Sequence, residues 1–354
     1  MATTPATAEV QRPPEEDEGG RWWQSPIAQM VWRRALLGIL TLVLIAVIVY
    51  FATTVLPGDA ATAILGQSAT PARIAKVEAE LGLDEPLLTR FVDWFGNAIH
   101  GDFGNSLSAA APVGSHGGAS KEAVTTLVNE KLLNSVVLIG VTAIVSTLLG
   151  ILAGMYAAFR RDGIFDTGGS VVALVASALP EFVVAIFVVM LFAVNVFDWF
   201  PALSLLPPGE SILSHLNMLV LPVLALVIVT TPYVFRMTRG AMIEVLDTDY
   251  VEFARMKGVS PRKIAFRHAL PNALAPVIQV VGLNLLYLAG GIVLVEAIFS
   301  YPGVGLALVE AINGRDVPTI QYIVLMLAVF YVILNIVTDV GVLLVTPRRR
   351  YPRS

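Results

Sequence analysis

Six stretches of this chain are apolar around the whole helical circumference for the roughly 20 residues that a helix needs to cross a hydrocarbon layer. They run approximately from Ala35 to Val55, Leu132 to Phe159, Gly169 to Val194, Leu216 to Phe235, Ala273 to Phe299 and Tyr322 to Val345. An all-α membrane protein with six transmembrane helices is the expectation. The first run is too long for the core of a signal peptide and no convincing small-residue cleavage site accompanies it, so it reads as a retained span.

The pattern changes between spans 1 and 2. In "TPARIAKVEAELGLDEPLLTRFVDWFGNAIHG", apolar residues recur at helical spacing, first Ile74, Val77 and Leu81 up to a stop at Gly82, then Leu88, Phe91, Val92, Phe95 and Ile99. Two short amphipathic helices are predicted. They suit either contact with a soluble partner or a compact cap over the span ends. "SLSAAAPVGSHGGAS" after them has the composition of a flexible linker, and Met1 to Gly20 holds too few apolar residues to fold alone, so disorder is expected there.

One stretch between spans 4 and 5 is polar and sharply punctuated. Asp249 with Glu252 three residues on has the form of a capping box, Gly258 is a helix stop, and Ser260 with Pro261 supplies a second N-cap and a proline at the first helical position. Helix, tight turn, helix is the prediction. Phe253, Met256, Val259, Ile264, Phe266 and Leu270 provide apolar contact on this pair, and Glu252, Arg255, Lys257, Arg262, Lys263 and Arg267 provide charge. Such a surface fits a protein groove. A DNA-binding helix-turn-helix would need freedom and a second basic surface that a short tether between two spans denies it, so nucleic acid is not an expected partner. A basic helix lying on anionic lipid explains the charge but not the punctuation.

Composition sharpens this picture. The chain of 354 residues is 56% hydrophobic and 14% charged, with mean hydropathy +0.75, far more apolar than one soluble core requires. It has no cysteine, and its four histidines (His100, His116, His215, His268) lack ligand spacing, so no metal site is expected. Seventeen of the 23 Lys and Arg residues lie before span 1, between spans 2 and 3, between spans 4 and 5, or after span 6. Basic residues are retained on the cytoplasmic side, which places both termini and the punctuated loop there and makes the lipid bilayer of a cell membrane the setting. No GxxxxGK[ST] loop occurs, so any ATPase must be another chain. No Ser/His/Asp or paired-carboxylate constellation stands in the spans, which argues against a membrane enzyme. A self-sufficient secondary transporter stays open as a rival.

Glu252, Phe253, Ala254, then Gly258, His268, Leu270 and Pro271 reproduce the spacing of the EAA loop of ABC importer permeases, with Phe253 and His268 departing from it. The likeness extends over nearly all of Arg33 to Arg350. "LPGD" (56–59), "LGLDEPL" (81–87), "GDFGNS" (101–106), "TRGAMIEVLDTDYVEFARMKG" (238–258), "VEAIFSYPGVG" (295–305) and "RDVPTIQ" (315–321) resemble the B-type permease of dipeptide, oligopeptide and nickel importers. The tail, the Gly/Ser-rich insertion before span 2 and Thr346 depart from that pattern.

The resemblance implies the type I ABC importer permease fold with a helical external loop between helices 1 and 2. It also implies partners: a second, C-type permease, two ABC ATPases that bind ATP and Mg, and an extracytoplasmic substrate-binding protein in a bacterial or archaeal cell membrane. This chain itself would hold no cofactor. Glu252, Phe253, Ala254, Arg255, Lys257, Gly258, Ser260, Pro261, Leu270 and Pro271 become the expected ATPase contact. Short peptides are the first expectation for cargo, with nickel or oligosaccharides as alternatives. The chain divides into a tail (1–32), the first span and external loop (33–131), a core of five spans (132–346) containing the coupling loop (249–271), and a basic end (347–354).

Polar groups at membrane depth are costly and point to function. Ser177 and Glu181 flank Pro180 in span 3 and read either as pathway lining or as a kink with an internally paired carboxyl. Asn284, Asn335 and Asp339 suit interhelical hydrogen bonds or the pathway. Glu296 is expected to shape the outer gate or the turn after it, and Arg236 and Arg239 to pair with Glu244 or Asp247.

Overall fold

The computed structural model describes residues 26–54, 70–71, 86–106, 123–207 and 210–345. The tail, the first predicted loop helix, the Gly/Ser-rich linker and Thr346 lie outside the described residues. The helices are α1 (Pro26–Thr54), α2 (Leu87–Ile99), α3 (Val124–Phe159), α4 (Ile164–Ala178), α5 (Glu181–Val189), α6 (Leu216–Leu246), α7 (Asp249–Met256), α8 (Leu270–Phe299), α9 (Val304–Asn313) and α10 (Val317–Val345). Five of these, α1, α3, α6, α8 and α10, are long and apolar enough to cross a membrane, and α4 with α5 make a sixth if the pair is one span.

That pair stands where one span, open to a kink at Pro180, is expected over 169–194. The axis bends by 104° between α4 and α5. Leu179 and Pro180 are extended there, with ψ of 133° and 142°. Proline removes an N–H and disfavours helix in the residue before it, so the chain breaks where Leu179 meets Pro180. α5 then loosens into a π-helical turn, Met190–Asn195.

The core is stacked in layers along the bundle. Its centre joins Leu138 of α3, Val184 and Val188 of α5, Leu226 of α6, and Leu288 and Ile292 of α8. Toward α7, Met155, Met242, Leu246, Val251 and Ile264 form a second cluster, and at the opposite end Val124, Val128, Val304 and Ile323 form a third. α3 and α6 make the most extensive helix pairing. The reason is a GxxxG step: a Cβ on Gly150 would stand 2.5 Å from Val234 Cβ, and one on Gly154 would stand 2.6 Å from the Phe235 carbonyl oxygen. Small residues let the two backbones approach, which is how helices associate where no hydrophobic drive separates them from lipid.

α1 lies at the edge and packs on α10. Arg34 pairs with Asp339 at 2.9 Å, and Gln321 Nε2 donates to Thr53 Oγ1 at 2.9 Å. α2 rests on the end of α1 through an aromatic cluster of Tyr50, Phe51, Phe91 and Trp94. Between the fifth and sixth expected spans, residues 300–321 hold a packed helix, α9, because Val304 and Ala307 are buried in the third cluster.

Candidate functional site

α7 begins one residue earlier than its sequence suggests. Thr248 is the N-cap residue, its hydroxyl donating to the Val245 carbonyl, so Asp249 and Glu252 occupy the first turn without forming a capping box. Both carboxylates still sit at the positive end of the helix dipole. Val251 is fully buried against the layer formed by Met155, Met242 and Ile264. The opposite face is open: Glu252, Phe253, Arg255 and Met256 are exposed, Phe253 at 59% and Met256 at 67%, with Ala254 half-buried between the two faces.

A Schellman motif ends α7. Gly258 takes φ +74°, its N–H donates to the Arg255 carbonyl at 2.9 Å, and the Val259 N–H donates to Ala254 at 3.1 Å. Lys257 is the C-cap and is exposed. Ser260 is extended, with φ −62° and ψ 145°, and Pro261 opens the next helical turn, as predicted, although the Ser260 side chain makes no cap bond. That turn is not an independent helix. It passes through a π-helical segment, Ile264–Ala269, straight into α8, with Pro271 exposed in its first turn.

The inward face therefore claims residues that the sequence assigned to outward contact. Ile264 is buried, and Val259 and Leu270 pack against the same cluster, because the π segment continues the axis of α8 into the bundle. The outward surface consists of Phe253, Met256 and Phe266 among Arg255, Lys257, Arg262, Lys263 and Arg267, all exposed. Two residues absent from the sequence reading hold it in place. Asn272 Nδ2 donates to the His268 carbonyl at 2.8 Å and to Tyr250 Oη at 2.9 Å, and Tyr250 Oη–H donates to the same carbonyl at 3.3 Å. A π segment leaves carbonyls poorly aligned with helical donors, so side-chain donors nearby take them up, and the helical pattern of the sequence does not mark the segment as π.

The polar groups of the bundle separate into structural and open ones. Glu296 is wholly buried, accepting from Ser135 Oγ at 2.6 Å, the Gly305 N–H at 2.7 Å and the Leu306 N–H at 3.2 Å, while Ser135 Oγ accepts from the Val304 N–H at 2.8 Å. It thereby shapes the turn between α8 and α9. Tyr301 in that turn donates to the Asn134 carbonyl at 2.8 Å, and burial, with the Glu296 charge adding to it, pushes its phenol above the usual range. Asn284 Nδ2 donates to the Thr230 carbonyl at 3.2 Å, an interhelical bond. Asn335 bonds the Tyr331 carbonyl of its own helix at 3.3 Å.

Arg239 pairs with Asp166 rather than with Glu244 or Asp247. Its Nη2 lies 2.8 Å from Asp166 Oδ2 and its Nε also bonds the carboxylate, whereas Asp247 takes Arg161 at 3.1 Å. The tight turn at 160–163, which follows the end of α3 where Gly154 packs on Arg239, brings Asp166 there. The bend at Leu179–Pro180 parts Ser177 from Glu181: Ser177 Oγ donates within α4 to Leu174 at 3.0 Å, and Glu181 starts α5, so the two share no helical face. Glu181 Oε2 instead accepts from Tyr287 of α8 at 2.8 Å.

At the α9 end, Ser106 donates to Asp316, whose carboxylate also accepts from Thr319 Oγ1 at 2.8 Å and caps the start of α10. "GDFGNS" and "RDVPTIQ" thus meet in space. Among the described residues no group of three or more His, Cys, Asp or Glu residues is placed to hold a metal ion.

A bundle of this kind, with an exposed short helix braced between two spans, matches known proteins along nearly its full length. Residues 150–351 match the family model described as binding-protein-dependent transport system inner membrane component, and residues 27–139 match the N-terminal model of the same systems. The chain is 32% identical to a Sinorhizobium fredii protein named probable peptide ABC transporter permease protein y4tP, over 91% of this chain and 99% of the relative. It is 35% identical to the di/tripeptide transport system permease protein DppB of Pseudomonas aeruginosa, over 84% of this chain and 91% of the relative. The fold resembles a chain from inward-facing structures of the MetNI methionine ABC transporter, with a TM-score of 0.52, 16% identity, and coverage of 63% of this chain and 98% of that one. With its helices, its exposed α7 and these matches in agreement, the chain belongs to the binding-protein-dependent transport system inner membrane components, the permease subunits of ABC importers.

Proposed function

We propose that this permease carries short peptides, delivered by an extracytoplasmic binding protein, through a pathway formed with a second permease, and that two ATPase subunits drive it by docking on α7. The α7 end of the bundle is cytoplasmic in this reading, as are both termini. ATP and its Mg²⁺ are held by the ATPases, and the chain itself makes and breaks no covalent bonds.

The observation that carries the docking role is the two-sidedness of α7. Val251 anchors it inside while Phe253 and Met256 stand in water among cations. Burying each of the two in a partner's cleft contributes about 1.5–3 kcal/mol. Displacement of α7 would be passed to α8 through the Tyr250–Asn272–His268 bonds and to α6 through the short Asp247–Thr248 link. α8 in turn meets α5 at the Tyr287–Glu181 hydrogen bond, and Arg239–Asp166 ties α4 to α6. A push on one short helix therefore reaches the bent pair, as rigid-body switching requires.

The test is uptake of labelled trialanine into proteoliposomes holding the complete importer. ATP-dependent uptake that needs the binding protein is the expected result. Uptake by this chain alone under an ion gradient would establish the secondary-transporter rival instead.

A further inference from the structure

Glu181 has a setting unlike that of the other bundle carboxylates. Asp166 has its arginine, Asp339 has Arg34, and Glu296 has three donors. Glu181 receives one neutral donor, Tyr287 Oη–H, on Oε2, and Oε1 takes no hydrogen bond among the described residues. Beside Oε1 the neighbouring helix carries Gly291, preceded by Gly290. A Cβ on Gly291 would stand 3.2 Å from Oε1, and one on Gly290 would meet nothing within 4 Å. The missing side chain at Gly291 thus leaves room for the half-buried carboxylate against α8, and Gly290 beside it is exposed.

The group continues along the same open face. Tyr287 is 39% exposed, its ring lies 6.3 Å from that of Tyr233, and the exposed Arg236 guanidinium lies 5.5 Å from the Tyr233 ring. Arg236 forms no ion pair among the described residues. One negative end, two aromatic rings and one positive end make a polar strip on membrane-spanning helices. Lipid tails cannot solvate it, so this face belongs to water or protein. A single carboxylate flanked by phenol rings has the chemistry that recognises an ammonium group, through charge-assisted hydrogen bonds and the ring face. It offers too few ligands for a chelated metal.

We propose that Glu181 and Tyr287 form a site in the transport pathway that holds the protonated amino terminus of a short peptide, with Arg236 at the far end of the strip facing its carboxylate. The proposal rests on the reading of this chain as a peptide permease and adds the polarity with which cargo lies in it.

The absence of cysteine supplies a probe. Leu283, 58% exposed, lies four residues before Tyr287 on α8 and therefore on its face. In the assembled importer carrying Leu283→Cys as the permease's one thiol, a cationic methanethiosulfonate should react faster than an anionic one. Glu181→Gln should lower that rate ratio at least fivefold, and Tyr287→Phe, which keeps the charge, should not. In proteoliposomes Glu181→Gln should also slow trialanine uptake at least tenfold relative to N-acetyl-trialanine, the shared binding protein cancelling from the comparison. A reagent ratio unchanged by Glu181→Gln overturns the site. Failure of the Glu181→Gln importer to assemble also overturns it, by assigning the carboxylate to the subunit interface. Absence of trialanine uptake by the unaltered importer refutes the peptide reading instead, while the reagent ratio still reports on the carboxylate.

Discussion

Gly258 is where the coupling role of α7 can be tested with least ambiguity. Its φ of +74° closes the Schellman turn, and a Cβ added there would meet nothing within 4 Å, so substitution acts through backbone preference alone. Left-handed backbone costs an ordinary L-residue about 1–2 kcal/mol, and less for Asn, whose short polar side chain bonds locally. Gly258→Ala therefore shifts the balance between capped and frayed α7 by about five- to thirtyfold. Gly258→Pro forces φ near −65°, removes the N–H that bonds Arg255, and opens the cap altogether, a loss of about 3 kcal/mol or more and a shift above a hundredfold. Gly258 lies in the link between α7 and the turn at Pro261, outside the long apolar helices, so membrane insertion and yield should be unchanged. Binding-protein-stimulated ATP hydrolysis by the reconstituted importer should follow the order Gly, Asn, Ala, Pro, with the Pro variant at background. Stimulated hydrolysis near normal in Gly258→Pro would refute the coupling argument.

Other expectations follow from the buried polar groups and close approaches. Arg239→Ala should destabilise the permease by up to about 3 kcal/mol because it leaves Asp166, 2% exposed, with the Asp162 N–H alone, whereas Asp166→Ala leaves an arginine that is 31% exposed and should cost less; thermal unfolding of the detergent-solubilised protein reads the order. Gly154→Val should separate α3 from α6, since even its Cβ would stand 2.6 Å from a backbone oxygen, and should lower the midpoint more than Gly140→Val, where a Cβ meets nothing within 4 Å. Gly303→Ala should cost about 1–3 kcal/mol, because the new Cβ would stand 2.2 Å from Glu296 Oε1 and force that carboxylate off its donors; the same unfolding assay on Gly96→Ala, where a Cβ meets nothing within 4 Å, separates this from a general effect of replacing glycine.

The spans were legible because continuous apolarity over a membrane's thickness has no soluble counterpart, and α7 was legible because Gly258 and Ser260–Pro261 each act through a local backbone preference. What escaped depends on direction in space. Leu179–Pro180 announced a break but not its 104° angle, which packing against α6 and α8 decides. The partner of Arg239 lies 73 residues away in sequence, reachable only once α4 has been turned back. Ile264 and Leu270 looked like contact residues by composition, and the π segment rotated them inward. Gly150 and Gly154 were open to reading as a GxxxG step, although the helix they would meet was not.

The docking of an ATPase on α7 is tested most directly by cross-linking in the intact importer, since the chain has no thiol of its own. Met256→Cys, on the exposed face, should be joined to an ATPase subunit by a short bismaleimide, and Ile39→Cys, exposed on α1, should not. A permease–ATPase product from position 256 alone is the result predicted. Efficient labelling of that thiol with no ATPase adduct, in an importer that hydrolyses ATP and takes up peptide, would contradict the account.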